Sequence, residues 1–298
     1  MSSAREVQLR IRSIKNIAQV TRALQAVSAS KVQKAMQAMY RTRPYADKAW
    51  QVLTHIAAQP GRLTLHPLLV EREQVNNVLV VMVSGDRGLA GAYNTNIVRF
   101  VLDRYRKYKV PVRYITIGRK GRDMMIRRGG KIMAEFSDLP ARPSFADVSA
   151  IGQLAVDEFL NGKVDEVYLA YTDFVNMVTQ VPMVKKLLPL EVGSEADRVE
   201  AFGNTKTRQT ATYIYEPGQE EILDEIVPRF TALQVYQAVM ESIASEHAAR
   251  MVSMKNATDN ANELSAALQL EYNKARQQSI TSEMLDIAGG AEALVQSQ

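Results

Sequence analysis

From Leu233 to Leu268 the chain reads LQVYQAVMESIASEHAARMVSMKNATDNANELSAAL. Within this stretch Leu233, Tyr236, Met240, Ile243, His247, Arg250, Met254, Ala257, Ala261, Leu264 and Leu268 step alternately by three and four residues. That spacing predicts a long helix with a heptad seam along one face. The seam is imperfect: His247 and Arg250 lie on it and alanine is frequent. Small seam residues let two helix axes approach closely. Residues 229–288 contain neither glycine nor proline, and roughly 60 residues of helix would span about 90 Å. Gly289-Gly290 is expected to end the helix.

The other end of the chain has the same character. Residues 2–43 also lack glycine and proline. Val7, Ile11, Ile14, Ile17, Val20, Leu24 and Val27 predict one apolar helical face. Arg10, Arg12, Lys15, Arg22, Lys31 and Lys34 occupy the others. Pro44 should kink or end the ladder near Arg43, with helix resuming over residues 45–58. About 55 residues would span on the order of 80 Å. Each narrow apolar stripe needs a cover. The simplest cover for each is the other helix, paired antiparallel, with the middle of the chain inserted between them.

That middle is punctuated: 13 of the 15 glycines and eight of the ten prolines lie between Pro60 and Val227. It reads as α/β. Strands are expected at 78–83, 112–117, 131–136 and 164–171, and helices at 94–109, 119–128 and 145–160. The alternation predicts a largely parallel, Rossmann-like sheet. Residues 177–188 and 211–215 read as strands added in another order, and the polar residues 193–210 as a loop. Three segments follow: an N-terminal coiled-coil helix (1–59), an α/β domain (60–226) and a C-terminal coiled-coil helix (227–298).

Composition excludes several classes of function. The chain has 298 residues, 46% of them hydrophobic, and a net charge of +5. Residues 1–59 carry +8, residues 60–226 are neutral and residues 227–298 carry −3. With no cysteine, there is no disulfide, thiolate metal site or thiol nucleophile. No apolar run approaches the roughly 20 residues needed to span a bilayer. The first residues lack the apolar core of a secretory signal, so the chain reads as cytoplasmic. The basic N-terminal helix admits nucleic acid, an anionic membrane or an acidic protein as partner. It lacks interleaved aromatics and a DNA-binding motif, and Trp or Phe membrane anchors. An acidic protein surface is therefore favoured.

Ser84-Gly85-Asp86-Arg87-Gly88-Leu89-Ala90-Gly91-Ala92-Tyr93-Asn94 follows a strand and opens a helix, where a phosphate loop would sit. Its G-x-x-G-x-x-G spacing is neither the dinucleotide fingerprint nor a P-loop, and Asp86 would repel phosphate. A nucleotide-binding α/β protein using this loop is the alternative reading; a tight turn exposed for protein contact is the plainer one. His55, His66 and His247 have no companions at metal-ligand spacing. Asp157-Glu158 and Asp165-Glu166 are sequence neighbours whose side chains diverge. No serine has a nucleophile-elbow context. Catalytic, metal and cofactor residues are thus expected to be absent.

Both termini resemble the gamma subunit of F-type ATP synthase. The matching runs are Ile11-Arg12-Ser13-Ile14-Lys15-Asn16, Thr21-Arg22-Ala23-Leu24 and Val27-Ser28-Ala29-Ser30-Lys31. At the other end they are Ala244-Ser245-Glu246-His247-Ala248-Ala249-Arg250-Met251-Val252, Met254-Lys255-Asn256-Ala257-Thr258-Asp259-Asn260 and Tyr272-Asn273-Lys274-Ala275-Arg276-Gln277, then Ile280-Thr281 and Glu283. The Ser84–Asn94 loop is similar to the family's central motif.

The resemblance implies a non-catalytic central stalk. It turns with the membrane c-ring inside a hexamer of alpha and beta subunits, one copy per complex, beside an epsilon subunit. Proton flow drives the beta sites through their conformations, and the nucleotide chemistry belongs to beta. Leu24, Arg250, Arg276, Gln277 and Thr281 match family positions that contact beta. Arg22, Lys31 and Lys34 form a positive collar toward acidic loops of the surrounding subunits. Asp86, Arg87, Gly88 and Leu89 match a region near the epsilon and c-ring contacts. Ala90 stands where many relatives have cysteine, so thiol control is not implied. Met284, Leu285, Ile287, Ala291, Leu294 and Val295 read as an apolar bearing tip. No nucleic acid is implied. Membrane contact is indirect, through the c-ring, at the cytoplasmic face of a bacterial cell membrane.

Overall fold

The computed structural model describes residues 4–57, 66–191 and 219–296. The expected strand at 211–215 and loop at 193–210 lie outside the described residues. The chain divides into two compact units, Met1–Ser28 with Met251–Gln298, and Ala29–Arg250. Two long helices contribute to both: α1 (Ala4–Ala57) and, at the other end of the chain, α5 (Gln219–Gln296).

The second unit is built on a five-stranded sheet of β1 (Val78–Val83), β2 (Val112–Ile117), β3 (Lys131–Phe136), β4 (Glu166–Phe174) and β5 (Gln180–Leu188). The order is β3-β2-β1-β4-β5, with β5 alone antiparallel. Three helices cover it: α2 (Tyr93–Tyr105), α3 (Arg119–Arg127) and α4 (Phe145–Leu160). Central strand β1 is apolar and buried throughout, because both faces of a parallel sheet are covered. Leu79, Val81 and Val83 enter one core with Val148, Ile151 and Phe159 of α4 and with the helix pair. Val78, Val80 and Met82 enter the other with Ile97, Val98 and Val101 of α2 and Met125 of α3. The period-two alternation of a strand thus feeds two cores.

In this unit the helices run antiparallel. Trp50 packs on Phe230 with ring centroids 5.7 Å apart, and Lys31, earlier in α1, lies close enough to the later His247 of α5 to influence its titration. Pro44 lies inside α1 and Pro228 inside α5 without ending either. Buried Ala46, Ala49, Trp50 and Leu53 hold α1 beyond its proline, as Phe230 and Leu233 hold α5. Tertiary packing here outweighs the backbone cost of proline.

In the first unit α1 and α5 meet through small and polar residues. Thr21 Oγ1 lies 2.6 Å from Thr258 Oγ1, beside buried Ala18, Ser28, Met254 and Ala261. This corrects the expected stripe. Val7 and Ile11 are buried as expected, but Ile17, Val20 and Val27 are each more than half exposed. The buried positions of α1 step 7, 11, 18, 21 and 28, a heptad series with half-buried Ile14 and Gln25 in its gaps. A paired helix follows a 3.5-residue repeat, and the strongest apolar run drifted off it. On α5, Leu264 is 52% exposed and half-buried Ser265 takes its place, as buried Thr258 takes that of Ala257. Gly289-Gly290 does not end α5, which continues to Gln296. A Cβ at Gly289 would meet nothing, and a helical glycine costs only about 1 kcal/mol relative to alanine.

Other boundaries moved for local reasons. α2 stops at Tyr105, where the Tyr108 N–H turns back to the Tyr105 carbonyl at 3.1 Å. β5 starts at Gln180 because Asn176 Oδ1 caps a turn, accepting from the Val178 and Thr179 N–H groups at 2.9 and 2.8 Å. β4 extends to Phe174 because antiparallel β5 pairs with it that far, Phe174 opposite Gln180.

Candidate functional site

A set of polar contacts joins α5 to the carboxyl-terminal ends of the strands. β1 pairs with β4 only as far as Ala170, which leaves the Thr172 backbone on that side without a strand partner. Two serines one turn apart on α5 supply it. The Thr172 N–H donates to Ser242 Oγ at 3.1 Å, and Ser245 Oγ donates to the Thr172 carbonyl at 3.1 Å. Tyr93, at the start of α2, donates its hydroxyl to the Ser242 carbonyl at 3.1 Å. Burial first, and then Glu246, raise the Tyr93 phenol far above its ordinary range, so it stays a donor.

One turn further on, Arg250 reaches the Ser84–Asn94 loop. Its Nε and Nη2 donate to the Gly88 carbonyl at 3.3 and 3.2 Å. Nη2 also pairs with Glu246 Oε1, and Nη1 donates to His247 Nδ1 at 3.0 Å. Burial, with Arg250 and Lys31 nearby, pushes His247 down to about 3. The imidazole is therefore neutral and Nδ1 accepts. The guanidinium is buried, with its charge answered by Glu246 and each of its three nitrogens hydrogen-bonded, the condition under which a buried ion is tolerated.

The loop is tied at both ends. The Gly85 N–H donates to Asn94 Oδ1 at 2.8 Å, and Asn94 Nδ2 to the Arg87 carbonyl at 3.3 Å. Asp86 accepts from the Arg119 N–H at 3.0 Å and the Asp138 N–H at 3.1 Å, while Arg119 pairs with Asp138 at 2.7 Å. Ser84 Oγ donates to the Ile117 carbonyl at 2.9 Å and accepts from the Gly121 N–H at 3.0 Å. Ala90 is buried, and Leu89 stands 66% exposed in the left-handed region at φ 62°. Arg87, Gly88 and Leu89 form an exposed, preformed tip. The nucleotide-binding alternative finds no support: the Gly85 amide is already used, and the Glu246 and Asp86 carboxylates line the space that a phosphate would enter.

Of the residues singled out in the sequence, the fold brings together Arg250 and Gly88, 162 positions apart. Asp86 spends its carboxylate inside the chain. Arg22 and Lys34 are exposed on α1, where Leu24 and Lys31 are half-buried. Arg276, Gln277 and Thr281 are exposed on α5, and the Thr281 hydroxyl donates to the Gln277 carbonyl at 2.9 Å. Of the tip residues, Met284, Leu285 and Ile287 are well over half exposed; the side chains of Ala291, Leu294 and Val295 lie outside the described residues, as does that of His55. Sequence reasoning missed Ser242, Ser245, Glu246, Tyr93 and Asn94 as joint residues. The Glu246–Arg250 spacing of four was a readable signal for a helical ion pair.

A helix pair with an inserted sheet domain, whose polar groups fix one helix to that domain, has the form of a structural subunit. Comparison with known proteins makes the class specific. A family model described as ATP synthase matches residues 3–294. The chain is 44% identical to the ATP synthase gamma chain of Roseiflexus sp. strain RS-1, over 99% of this chain and 100% of that one. It is 42% identical to that of Chloroflexus aurantiacus, over 99% of both. It is similar in fold to a chain of the Euglena gracilis mitochondrial ATP synthase OSCP/F1/c-ring assembly, with TM-score 0.67, 20% identity and coverage of 98% and 94%. A chain of the Tetrahymena thermophila central stalk and c-ring assembly gives TM-score 0.60 and 24% identity over 80% and 99%. The chain belongs to the ATP synthase family, with gamma chains as its relatives. Among the described residues no helix is long and apolar enough to cross a membrane.

Proposed function

We propose that this chain is the central-stalk rotor of a proton-translocating F-type ATP synthase, coupling rotation of a c-ring to conformational cycling of catalytic sites on beta subunits. The chain is not itself an enzyme. The observation that carries this reading is the joint on α5: Ser242, Ser245 and Arg250 fasten the helix to the sheet domain through backbone groups of Thr172 and Gly88. Torque applied to the domain then reaches the helix through directional bonds as well as packing.

One copy would stand within a hexamer of alpha and beta subunits, beside epsilon and on the c-ring, peripheral to the cytoplasmic face of a bacterial membrane. Segments 1–59 and 227–298 serve as the shaft and 60–226 as the foot. Arg22, Lys31, Lys34 and Leu24 of α1, and Arg276, Gln277 and Thr281 of α5, are the surfaces toward the hexamer. Arg250, which matches the same contact with beta, also holds the Gly88 carbonyl of the loop assigned to epsilon and the ring. Asp86, Arg87, Gly88 and Leu89 form the end toward epsilon and the ring.

The test is reconstitution of membrane vesicles with alpha, beta and the remaining subunits, with and without this chain. ATP-driven proton pumping that requires the chain is the expected result. Pumping that persists without it contradicts the reading. In the same assay the triple variant Arg22→Glu, Lys31→Glu, Lys34→Glu should lose coupling more than folding.

A further inference from the structure

We propose that Glu246 is a positioning residue that sets the shape of the Arg87–Leu89 tip, and that Gly85 is glycine in order to seat it. A Cβ placed on Gly85 would lie 2.7 Å from Glu246 Cδ, 2.8 Å from Oε1 and 3.0 Å from Oε2. Gly85 is not in the left-handed region, so the backbone itself does not demand glycine. The space is what demands it: the carboxylate occupies the volume of the missing side chain. From that seat Glu246 holds Arg250 Nη2, and the same nitrogen donates to the Gly88 carbonyl.

Three residues thus form one chain of contacts. The glycine admits the carboxylate, the carboxylate orients the guanidinium, and the guanidinium fixes the carbonyl at the loop tip. Glu246 is mostly buried, with its side chain 14% exposed. Removing it would leave a buried arginine without its counter-charge, which is costly. Residues joined in this way respond to substitution as a unit and not additively.

The proposal deepens the rotor reading, because it makes the tip an output whose geometry is set by the shaft helix; its first arm does not depend on that reading. In that arm, hydrogen exchange is followed in the full chain at the amides of Tyr93 and Arg119, which donate to the Ala90 carbonyl and the Asp86 carboxylate of the loop, for Gly85→Ala, Glu246→Ala and the pair together. Each single substitution should speed exchange about tenfold, as expected when local opening becomes easier. The double variant should be no faster than either single one, since truncating Glu246 removes the atoms that the new methyl would strike. Effects that multiply in the double variant, or single variants with unchanged exchange, overturn the proposal. Glu246→Gln, which keeps shape and an acceptor for Arg250, should restore most of the protection lost in Glu246→Ala.

In the second arm, complexes that carry these variants are compared for protons pumped per ATP hydrolysed. Glu246→Ala should lower that ratio severalfold and Glu246→Gln should recover it. A loosened tip with an unchanged ratio overturns the assignment of Glu246 to coupling. Failure of the rotor reading would look different: the wild-type chain would then give no coupled pumping at all.

Discussion

The two compact units use the same pair of helices in different ways. In the first, α1 and α5 meet through Ala18, Thr21, Ser28, Thr258 and Ala261, with a hydroxyl pair at the centre. In the second, the helices bring Trp50, Leu53, Phe230 and Leu233 into a core shared with the sheet and α4. Small residues bury little apolar area, so the first unit has little stabilisation per residue. Large ones bury roughly 1.5–3 kcal/mol each. The difference teaches where a long helix takes its support. Packing against a sheet permits a proline inside the helix, whereas a bare pair depends on close approach and hydrogen bonds.

The largest expected effect that tests this contrast is Phe230→Ala. Phe230 is fully buried against Trp50, and its truncation should cost about 3–5 kcal/mol, read from the urea unfolding midpoint of the transition that involves the sheet unit. A cost below 1 kcal/mol would mean that the core does not anchor α5. Next comes Gly152→Ala. Its Cβ would stand 2.7 Å from the Ala232 Cα and 3.0 Å from its Cβ. Backbone cannot rotate away as a side chain can, so α4 and α5 must separate, at about 1–3 kcal/mol; thermal unfolding measures it.

A smaller effect is expected at the hydroxyl pair. Thr21→Val or Thr258→Val alone should cost about 1 kcal/mol by leaving the other hydroxyl with a lost partner, and the double variant should cost less than the two together. Additive costs would show that the pair is not coupled. The smallest effect concerns pH. Burial, and then Asp173, raise Glu241 to about 7, against an ordinary value near 4.5. The folded chain therefore holds a proton that the unfolded chain releases, and this contribution to stability declines as pH rises from about 4.5 to 7. Glu241→Gln should remove that decline, making the variant relatively more stable at pH 8 than at pH 5. His247 has the opposite sign: its lowered value favours folding above about 6.5 and loses that contribution as pH falls toward 3. A Glu241→Gln profile parallel to wild type would show that the carboxyl is ionised in the fold.

Much of the architecture was legible before any coordinates. Val78–Val83 is continuous and apolar, and is the buried central strand; a run of that kind has few other places to go. Residues 145–160 form a helix whose start is marked by a Ser144–Asp147 capping box. The long helices were legible from the absence of breakers, but their phase was not. Ile17, Val20 and Val27 carry the stronger apolar signal yet face outward, while Ala18, Thr21 and Ser28 carry a weak one and are buried. Hydrophobicity reports area, whereas close packing of two helices is decided by smallness. Gly289-Gly290 read as a stop and was not one, since a local rule yields when a long helix continues on either side. In the joint, Arg250 stood out in the sequence, but its partner is a backbone carbonyl far away in the chain, and carbonyls carry no sequence signal. The serines were illegible for the same reason: the groups that they satisfy belong to the Thr172 backbone.

The most direct test of the central claim uses the absence of cysteine. Arg128 is exposed near the end of α3 in the sheet domain, and Arg128→Cys gives this chain a single site for a rotation marker, used in complexes whose other subunits are cysteine-free and which are immobilised through the alpha–beta hexamer. If the joint on α5 makes this chain a rotor, the marker turns in one direction when ATP is added and stops when ATP is withdrawn. ATP hydrolysis at normal rates beneath a stationary marker would contradict the account.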